Sequence, residues 1–235
     1  MGKYEAILFD LDGTLLPMDN DSFMKSYFYH LHKVVEPYGY TMDGFVKAMW
    51  SGVEAMARNR SDRLNSECFW EVFGSVLGND VLEHIPEIDA FYLGEFENVK
   101  KTTSCTPLAK EAVRLAREKA GKVVLATNPY FPEPAVRKRI EWAGLNWEDF
   151  DLVTFYDNST RCKPNPEYYV EIAEKMGVNP EKCLMVGNNV KEDIVASQKV
   201  GLDTFLVTDC LIATVEIPET KKGSLADLVE YFKSL

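Results

Sequence analysis

The chain has 235 residues, is 46% hydrophobic, and carries 26 Lys+Arg against 37 Asp+Glu for a net charge of −11. This is the composition of an ordinary globular protein with one large domain or two modest ones, and its charge excludes a general electrostatic footprint for nucleic acid or an anionic membrane. No apolar run approaches the roughly 18 residues that span a bilayer, the five cysteines form no Cys-x-x-Cys and read as reduced thiols, and Met1-Gly2-Lys3-Tyr4-Glu5 carries no signal-peptide pattern. A cytoplasmic location is expected.

The first apolar run, Ala6 to Phe9, is stopped by Asp10-Leu11-Asp12-Gly13-Thr14 and predicts a buried strand entering a turn. Residues 19–97 then change character. They are rich in aromatics and Met, with helical stripes such as Phe23, Tyr27 and Leu31, then Phe45, Met49 and Met56, then Phe69 and Phe73, then Ile88, Phe91 and Tyr92. Breaks at Gly39, at Arg58 to Ser66 and at Gly78 to Pro86 predict about four helices. The insert would join the rest through Leu16 to Asn20 and Asn98 to Thr103. After Thr106-Pro107 a helical stripe runs through Leu108, Ala112, Leu115 and Ala116 to an end at Gly121. Strands follow at Val123 to Ala126 and, more weakly, Leu152 to Phe155. A helix after Asn165-Pro166 ends at Gly177, and strands return at Cys183 to Val186 and Thr204 to Val207. Strands alternating with helices predict a Rossmann-like parallel sheet, an α/β core of residues 1–18 and 98–235, with 19–97 as a smaller helical domain.

Sites in open parallel sheets lie beyond the carboxyl ends of the strands. There the chain places Asp10 and Asp12 after the first strand, and residues two apart in extended backbone point to one side. One could act as nucleophile and the other as general acid and base, although Asp12-Gly13 also reads as a tight turn. Thr127 and Asn128 follow the second strand, Lys163 precedes Pro164-Asn165-Pro166, and Asn188, Asn189 and Asp193 follow the fourth strand. Each alone reads equally as a cap, a turn or a solvated side chain. Together they bring carboxylates, a hydroxyl and a lysine to one sheet edge. Carboxylates that converge need a cation, and oxygen ligands select a hard one such as Mg²⁺. A carboxylate nucleophile, a lysine and Mg²⁺ suit a phosphate dianion.

With Asp10-Leu11-Asp12-Gly13-Thr14 as a first motif, Thr127 ending a strand, Lys163-Pro164-Asn165-Pro166, and Gly187-Asn188-Asn189-Val190-Lys191-Glu192-Asp193, the chain resembles the haloacid dehalogenase (HAD) superfamily. The resemblance extends to the helical insert, which corresponds to that family's cap. It implies a phosphoric monoester hydrolase acting on a small phosphorylated metabolite. Asp10 would form an aspartyl-phosphate, and Asp12 would protonate the leaving alcohol and activate water. Thr127, Asn128 and Lys163 would hold the phosphoryl group, and Asp10, Asp12, Asn188 and Asp193 the Mg²⁺. One departure is that the motif usually has Asp where this chain has Asn188, which implies weaker metal binding or more weight on Asp193.

Asp12 distinguishes the chain from a carbon-attacking dehalogenase, which usually lacks an acid there. Two rivals keep the residue set: a sugar phosphomutase of the same superfamily, and a catalytically idle protein that binds a phosphate ligand. In the insert, Lys25, Lys33 and Lys47 read as solvated helix residues and Arg58, Arg60 and Arg63 as a polar loop. His30, His32 and the Phe23, Tyr27, Phe28 stripe read as bundle surface and core, and Trp142 and Trp147 as packing.

Overall fold

A computed structural model describes residues 3–235. Strand β1 (Tyr4–Phe9) is followed by four helices, α1 (Asn20–Val35), α2 (Met42–Ala57), α3 (Asn65–Leu77) and α4 (Ile85–Leu93), and a 3-10 stretch at Glu95–Thr102. The chain then runs through α5 (Pro107–Lys119), β2 (Ala120–Leu125), α6 (Glu133–Trp142), β3 (Leu152–Val153), α7 (Glu167–Met176) and β4 (Cys183–Gly187). A π-helical turn at Val190–Val195 leads into α8 (Ala196–Gln198), and β5 (Asp203–Val207), β6 (Lys221–Gly223) and α9 (Leu225–Ser234) complete it. No helix among the described residues is long and apolar enough to cross a membrane.

The six strands form one sheet in the order β3-β2-β1-β4-β5-β6, every pair parallel. β1 is central, and its last residue Phe9 pairs with Leu125 on one side and Val186 on the other. Alternation assigns its two faces. Ile7 and Phe9 pack with α5 and α9, whereas Ala6 and Leu8 pack with Tyr168, Tyr169 and Ile172 of α7. A strand buried on both faces reads as an unbroken apolar run, which is why Ala6 to Phe9 stood out. β6 did not, because Lys-Lys-Gly at a sheet edge contributes backbone pairing without an apolar face. The helix expected to end at Gly121 stops instead at Lys119, because Ala120 is already paired with Tyr4 in the sheet. The Leu152 strand is shorter than expected: Thr154 N still donates to the Leu125 carbonyl at 3.1 Å, but the pairing ends there and the Thr154 hydroxyl donates to the Thr127 carbonyl at 2.7 Å.

The insert helices start and stop where caps allow. The Asp19 carboxylate accepts from Ser22 N at 2.8 Å before α1, and the Thr41 hydroxyl accepts from Gly44 N at 3.3 Å before α2. Their apolar core is continuous with that of the sheet. Phe131, in the loop after β2, lies with its ring centre 5.2 Å from Tyr27, and Phe96 packs at a tilt against Trp142 with ring centres 4.9 Å apart. Trp142 therefore joins the insert to the sheet layer and also donates to Glu97 at 2.9 Å. The two connecting strands of chain touch, with Met18 bridged to Thr103 and Ser104 N donating to the Pro17 carbonyl at 2.9 Å. A third tie lies far from them. Asn65 N donates to the Ser159 carbonyl at 2.9 Å, its side-chain amide reaches the Arg161 carbonyl at 3.2 Å, and Arg161 donates to the Ser61 carbonyl at 2.6 Å.

Candidate active site

The strand order reverses between β1 and β4, and a crevice at such a point is where open α/β sheets bind ligands. Asp10 N donates to the Val186 carbonyl at 2.9 Å, which seats the Asp10 carboxylate at the mouth of that crevice. Beyond it the chain turns sharply, with Leu16 N bonded back to the Leu11 carbonyl at 2.8 Å. Gly13 is required at this turn. Its φ is +85°, and a Cβ there would overlap the Asn188 amide nitrogen.

Lys163 is fully buried, and its Nζ lies 2.8 Å from Asp10 Oδ1 and 2.6 Å from Asp193 Oδ1. Burial alone would push its ammonium toward neutrality, but the two carboxylates outweigh that and hold its pKa well above the ordinary lysine value. Asp193 is pushed up to about 7 by burial and by repulsion from Asp10, with Lys163 opposing. Its second oxygen accepts from Asn189 N at 2.9 Å, so both oxygens are engaged. The π-helical turn aims it inward, and Gly187 leaves the room, since a Cβ there would overlap the Asp193 carboxylate. Thr14 Oγ1 lies 3.3 Å from Asp10 Oδ2 and 3.0 Å from Asn188 Oδ1, so two acceptors share one hydroxyl proton. The Asn188 amide donates to the Cys210 carbonyl at 2.6 Å, which fixes its Oδ1 toward the Thr14 hydroxyl.

The residue pattern and this geometry agree with the comparison to known proteins, where the haloacid dehalogenase-like hydrolase family model matches residues 4–201. The chain belongs to the haloacid dehalogenase-like hydrolases. It is 28% identical over 205 residues to a phosphorylated carbohydrates phosphatase of Thermotoga maritima, covering 85% of this chain and 82% of that one. It is 27% identical over 230 residues to a phosphoglycolate phosphatase of Aquifex aeolicus, covering 96% and 95%. Among solved structures it resembles a 2-haloacid dehalogenase of Pseudomonas syringae, with a TM-score of 0.65 at 13% identity over 98% of this chain and 99% of that one. It also resembles the HAD-hydrolase YfnB of Bacillus subtilis bound to magnesium, with a TM-score of 0.60 at 18% identity over 98% and 99%. At such identities the structural likeness shows the fold alone.

In this HAD-like hydrolase, Asp10, Lys163, Asn188 and Asp193 are in one hydrogen-bonded group, and Asp12, Thr127 and Asn128 line the same cavity. The Thr127 hydroxyl makes no hydrogen bond among the described residues, while its carbonyl accepts from Tyr168 at 2.8 Å. The Asn128 amide donates to Glu192 at 3.1 Å and to the Lys163 carbonyl at 3.4 Å. Among the described residues no group of three His, Cys, Asp or Glu side chains is arranged to hold a metal by itself. Any such ion would need the Asn188 amide oxygen or a backbone carbonyl.

Two residues of the site escaped the sequence reading. Arg139 of α6 is fully buried and forms an ion pair with Asp12, its guanidinium carbon 4.2 Å from the centre of the Phe131 ring. Burial and the Asp10 charge raise the Asp12 carboxyl, with Arg139 and Lys163 opposing. Glu192 is raised by burial as well. In the insert, Lys25 and Lys47 are exposed, Lys33 pairs with Glu36 at 2.7 Å, Arg58 with Glu54 at 2.6 Å and Arg63 with Glu71 at 2.6 Å. Arg60 donates to the Asn59 carbonyl at 2.8 Å. His32 is buried against the Tyr40 carbonyl at 2.8 Å and His30 is half-buried. Phe23, Tyr27 and Phe28 are buried in the hydrophobic core, as expected, and also line the cavity above Asp10.

Proposed function

We propose that the protein is a Mg²⁺-dependent phosphatase that hydrolyses a small phosphomonoester through an aspartyl-phosphate on Asp10, with residues 19–97 acting as a cap over the site. The observation that carries this reading is the buried Lys163 ammonium between Asp10 and Asp193, beside an acid two residues on. A dehalogenase attacking carbon needs no proton donor at that place. Asp12 is there, lining the cavity with its carboxyl raised by burial, which suits a group that passes protons to and from the substrate. The phosphatase names of the relatives support the same reading.

Asp10 attacks phosphorus, the bond from phosphorus to the alcohol oxygen breaks, and Asp12 delivers its proton to that oxygen. Asp12, now a carboxylate, takes a proton from water whose oxygen attacks phosphorus, releasing phosphate and restoring Asp10. Lys163 holds the Asp10 carboxylate at 2.8 Å and faces the phosphoryl charge, an electrostatic role of the kind that dominates such reactions. The free Thr127 hydroxyl donates to a phosphoryl oxygen. Asn128 acts one step back, tying Glu192 to the Lys163 loop.

The donor set fits a hard divalent ion. The carboxyl groups of Asp10, Asp12, Glu192 and Asp193 outnumber the cations Lys163 and Arg139, and Asp10 Oδ2 and Asn188 Oδ1 share a single proton. Asp10, the Asp12 carbonyl and Asn188 would hold Mg²⁺, with Asp193 beside them. When bound, Mg²⁺ supplies positive charge that lets a carboxylate approach a phosphate dianion. The test is phosphate release from p-nitrophenyl phosphate with and without Mg²⁺. Turnover that needs Mg²⁺ and is lost in Asp10→Asn is expected, and turnover that survives Asp10→Asn overturns the covalent mechanism.

A further inference from the structure

Above the carboxylates lies a cavity of about 620 Å³, within the range of sites that enclose drug-sized ligands. Its floor is Asp10, Asp12 and Thr127. Its walls are mostly apolar, with Phe23 and Tyr27 of α1, Phe45 and Met49 of α2, and Phe69 of α3 facing Phe131 of the sheet layer, while Asn20, Asp21 and Lys25 add a polar edge at the start of α1. The only lysine or arginine among the described lining residues is Lys25, exposed on α1. The arginines of the α2 to α3 turn are spent on Glu54, Glu71 and backbone carbonyls. The Tyr27 and Tyr92 hydroxyls bond to each other at 2.6 Å, and burial pushes the Tyr27 phenol up, so it stays neutral. The walls are held over the floor by the bonds from Asn65 and Arg161 described above.

We infer that the alcohol carried by the substrate is a bulky, uncharged apolar group, so that the substrate class is alkyl or aryl phosphomonoesters rather than phosphorylated sugars or phosphorylated carboxylic acids. This rests on the phosphatase reading for the phosphate end. A carboxylate or second phosphate entering the cavity meets no fixed cation, and buried charge without a partner is strongly disfavoured. A sugar brings several hydroxyls, and in an apolar pocket even one costs on the order of 100-fold in selectivity. An alkyl chain gains about fourfold for each methylene that leaves water.

The experiment measures kcat/KM with Mg²⁺ for n-butyl, n-hexyl and n-octyl phosphate, phenyl phosphate, glycolate 2-phosphate and glucose 6-phosphate. The expected result is a rise of roughly 200- to 250-fold from butyl to octyl, about fourfold for each of the four added methylenes, with both polar esters below hexyl and phenyl phosphate. Preference for phenyl over octyl phosphate assigns the cavity to aryl rather than alkyl groups within the same class. Polar esters turned over as fast as octyl phosphate would overturn the inference and leave the phosphatase reading standing. No release from any ester would overturn the phosphatase reading instead. The cavity is then tested by tryptophan fluorescence, since Trp50 and Trp70 line it. Quenching by octylphosphonate at concentrations at least tenfold below phosphonoacetate supports the apolar preference, and equal or reversed affinities overturn it.

Discussion

Replacing Asp12 with alanine does more than remove a proton donor, because it strands Arg139. That guanidinium is fully buried, and among the described residues Asp12 is its only carboxylate partner. Its Nε reaches the Ala135 carbonyl only at 3.4 Å, and its Nη2 already has no partner. Removing one side of a buried ion pair costs about 3–5 kcal/mol, which for a chain of this size lowers the melting temperature by about 6–20 °C. Replacing both partners by apolar groups is often close to neutral. Asp12→Ala and Arg139→Leu should each melt well below the native protein, and the double variant should melt within about 5 °C of it. Phosphate release should behave differently, staying about 10²- to 10⁴-fold down in both the Asp12→Ala and the double variant, because the acid is missing from each. Thermal melts by circular dichroism and a phosphate-release assay on the four proteins separate the effects. A double variant whose loss in melting temperature equals the sum of the single losses would refute the coupling and make Arg139 an independent structural residue.

Lys163→Met leaves Asp10 and Asp193 facing each other without their shared cation, so a loss of about 10²- to 10³-fold in turnover is expected, read by phosphate release at saturating Mg²⁺. Asn188→Asp adds a carboxylate to the ligand set and should lower the Mg²⁺ concentration for half-maximal turnover about tenfold. It also turns the 2.6 Å bond to the Cys210 carbonyl into a contact between two acceptors, with an expected cost of about 1–3 kcal/mol in a denaturant melt. Unchanged Mg²⁺ dependence would remove Asn188 from the metal site. Gly13→Ala puts a Cβ into the Asn188 amide at a positive φ, so it should raise the Mg²⁺ concentration for half-maximal turnover and lower stability by about 1–3 kcal/mol. Asn65→Ala cuts the tie between the α2 to α3 turn and the Ser159 to Cys162 loop, and faster hydrogen exchange at residues 58–65 with a higher KM is expected.

The sheet was readable because β1, β2 and β4 are buried on both faces, and such strands announce themselves as apolar runs with chemistry at their ends. Asp10, Lys163, Asn188 and Asp193 could be named as one site for the same reason, since each sits just beyond or beside a strand that the sheet order brings together. The cavity was not readable. A stripe such as Phe23 and Tyr27 says that one helix face avoids water, and it reads the same whether that face meets packed side chains or an open volume. Only the separation of α1, α2 and α3, which depends on how their loops anchor to the sheet layer, decides between them.

Arg139 is a different case, because its signal was present in the α6 pattern. Ala135, Val136, Ile140 and Ala143 form an apolar stripe, and Arg139 falls four residues after Ala135 and three after Val136, on the buried side of the helix. An arginine there has no route to solvent along its own helix face, so it must find an anion inside. The carboxylates expected inside this chain were those beyond the strands. The helix follows the Thr127 loop and therefore packs beside the β1 turn, where Asp12 is the acid not already claimed by Lys163. An ionic side chain interrupting an apolar stripe can thus be read as a pointer to a buried partner, and here that partner is the proposed general acid.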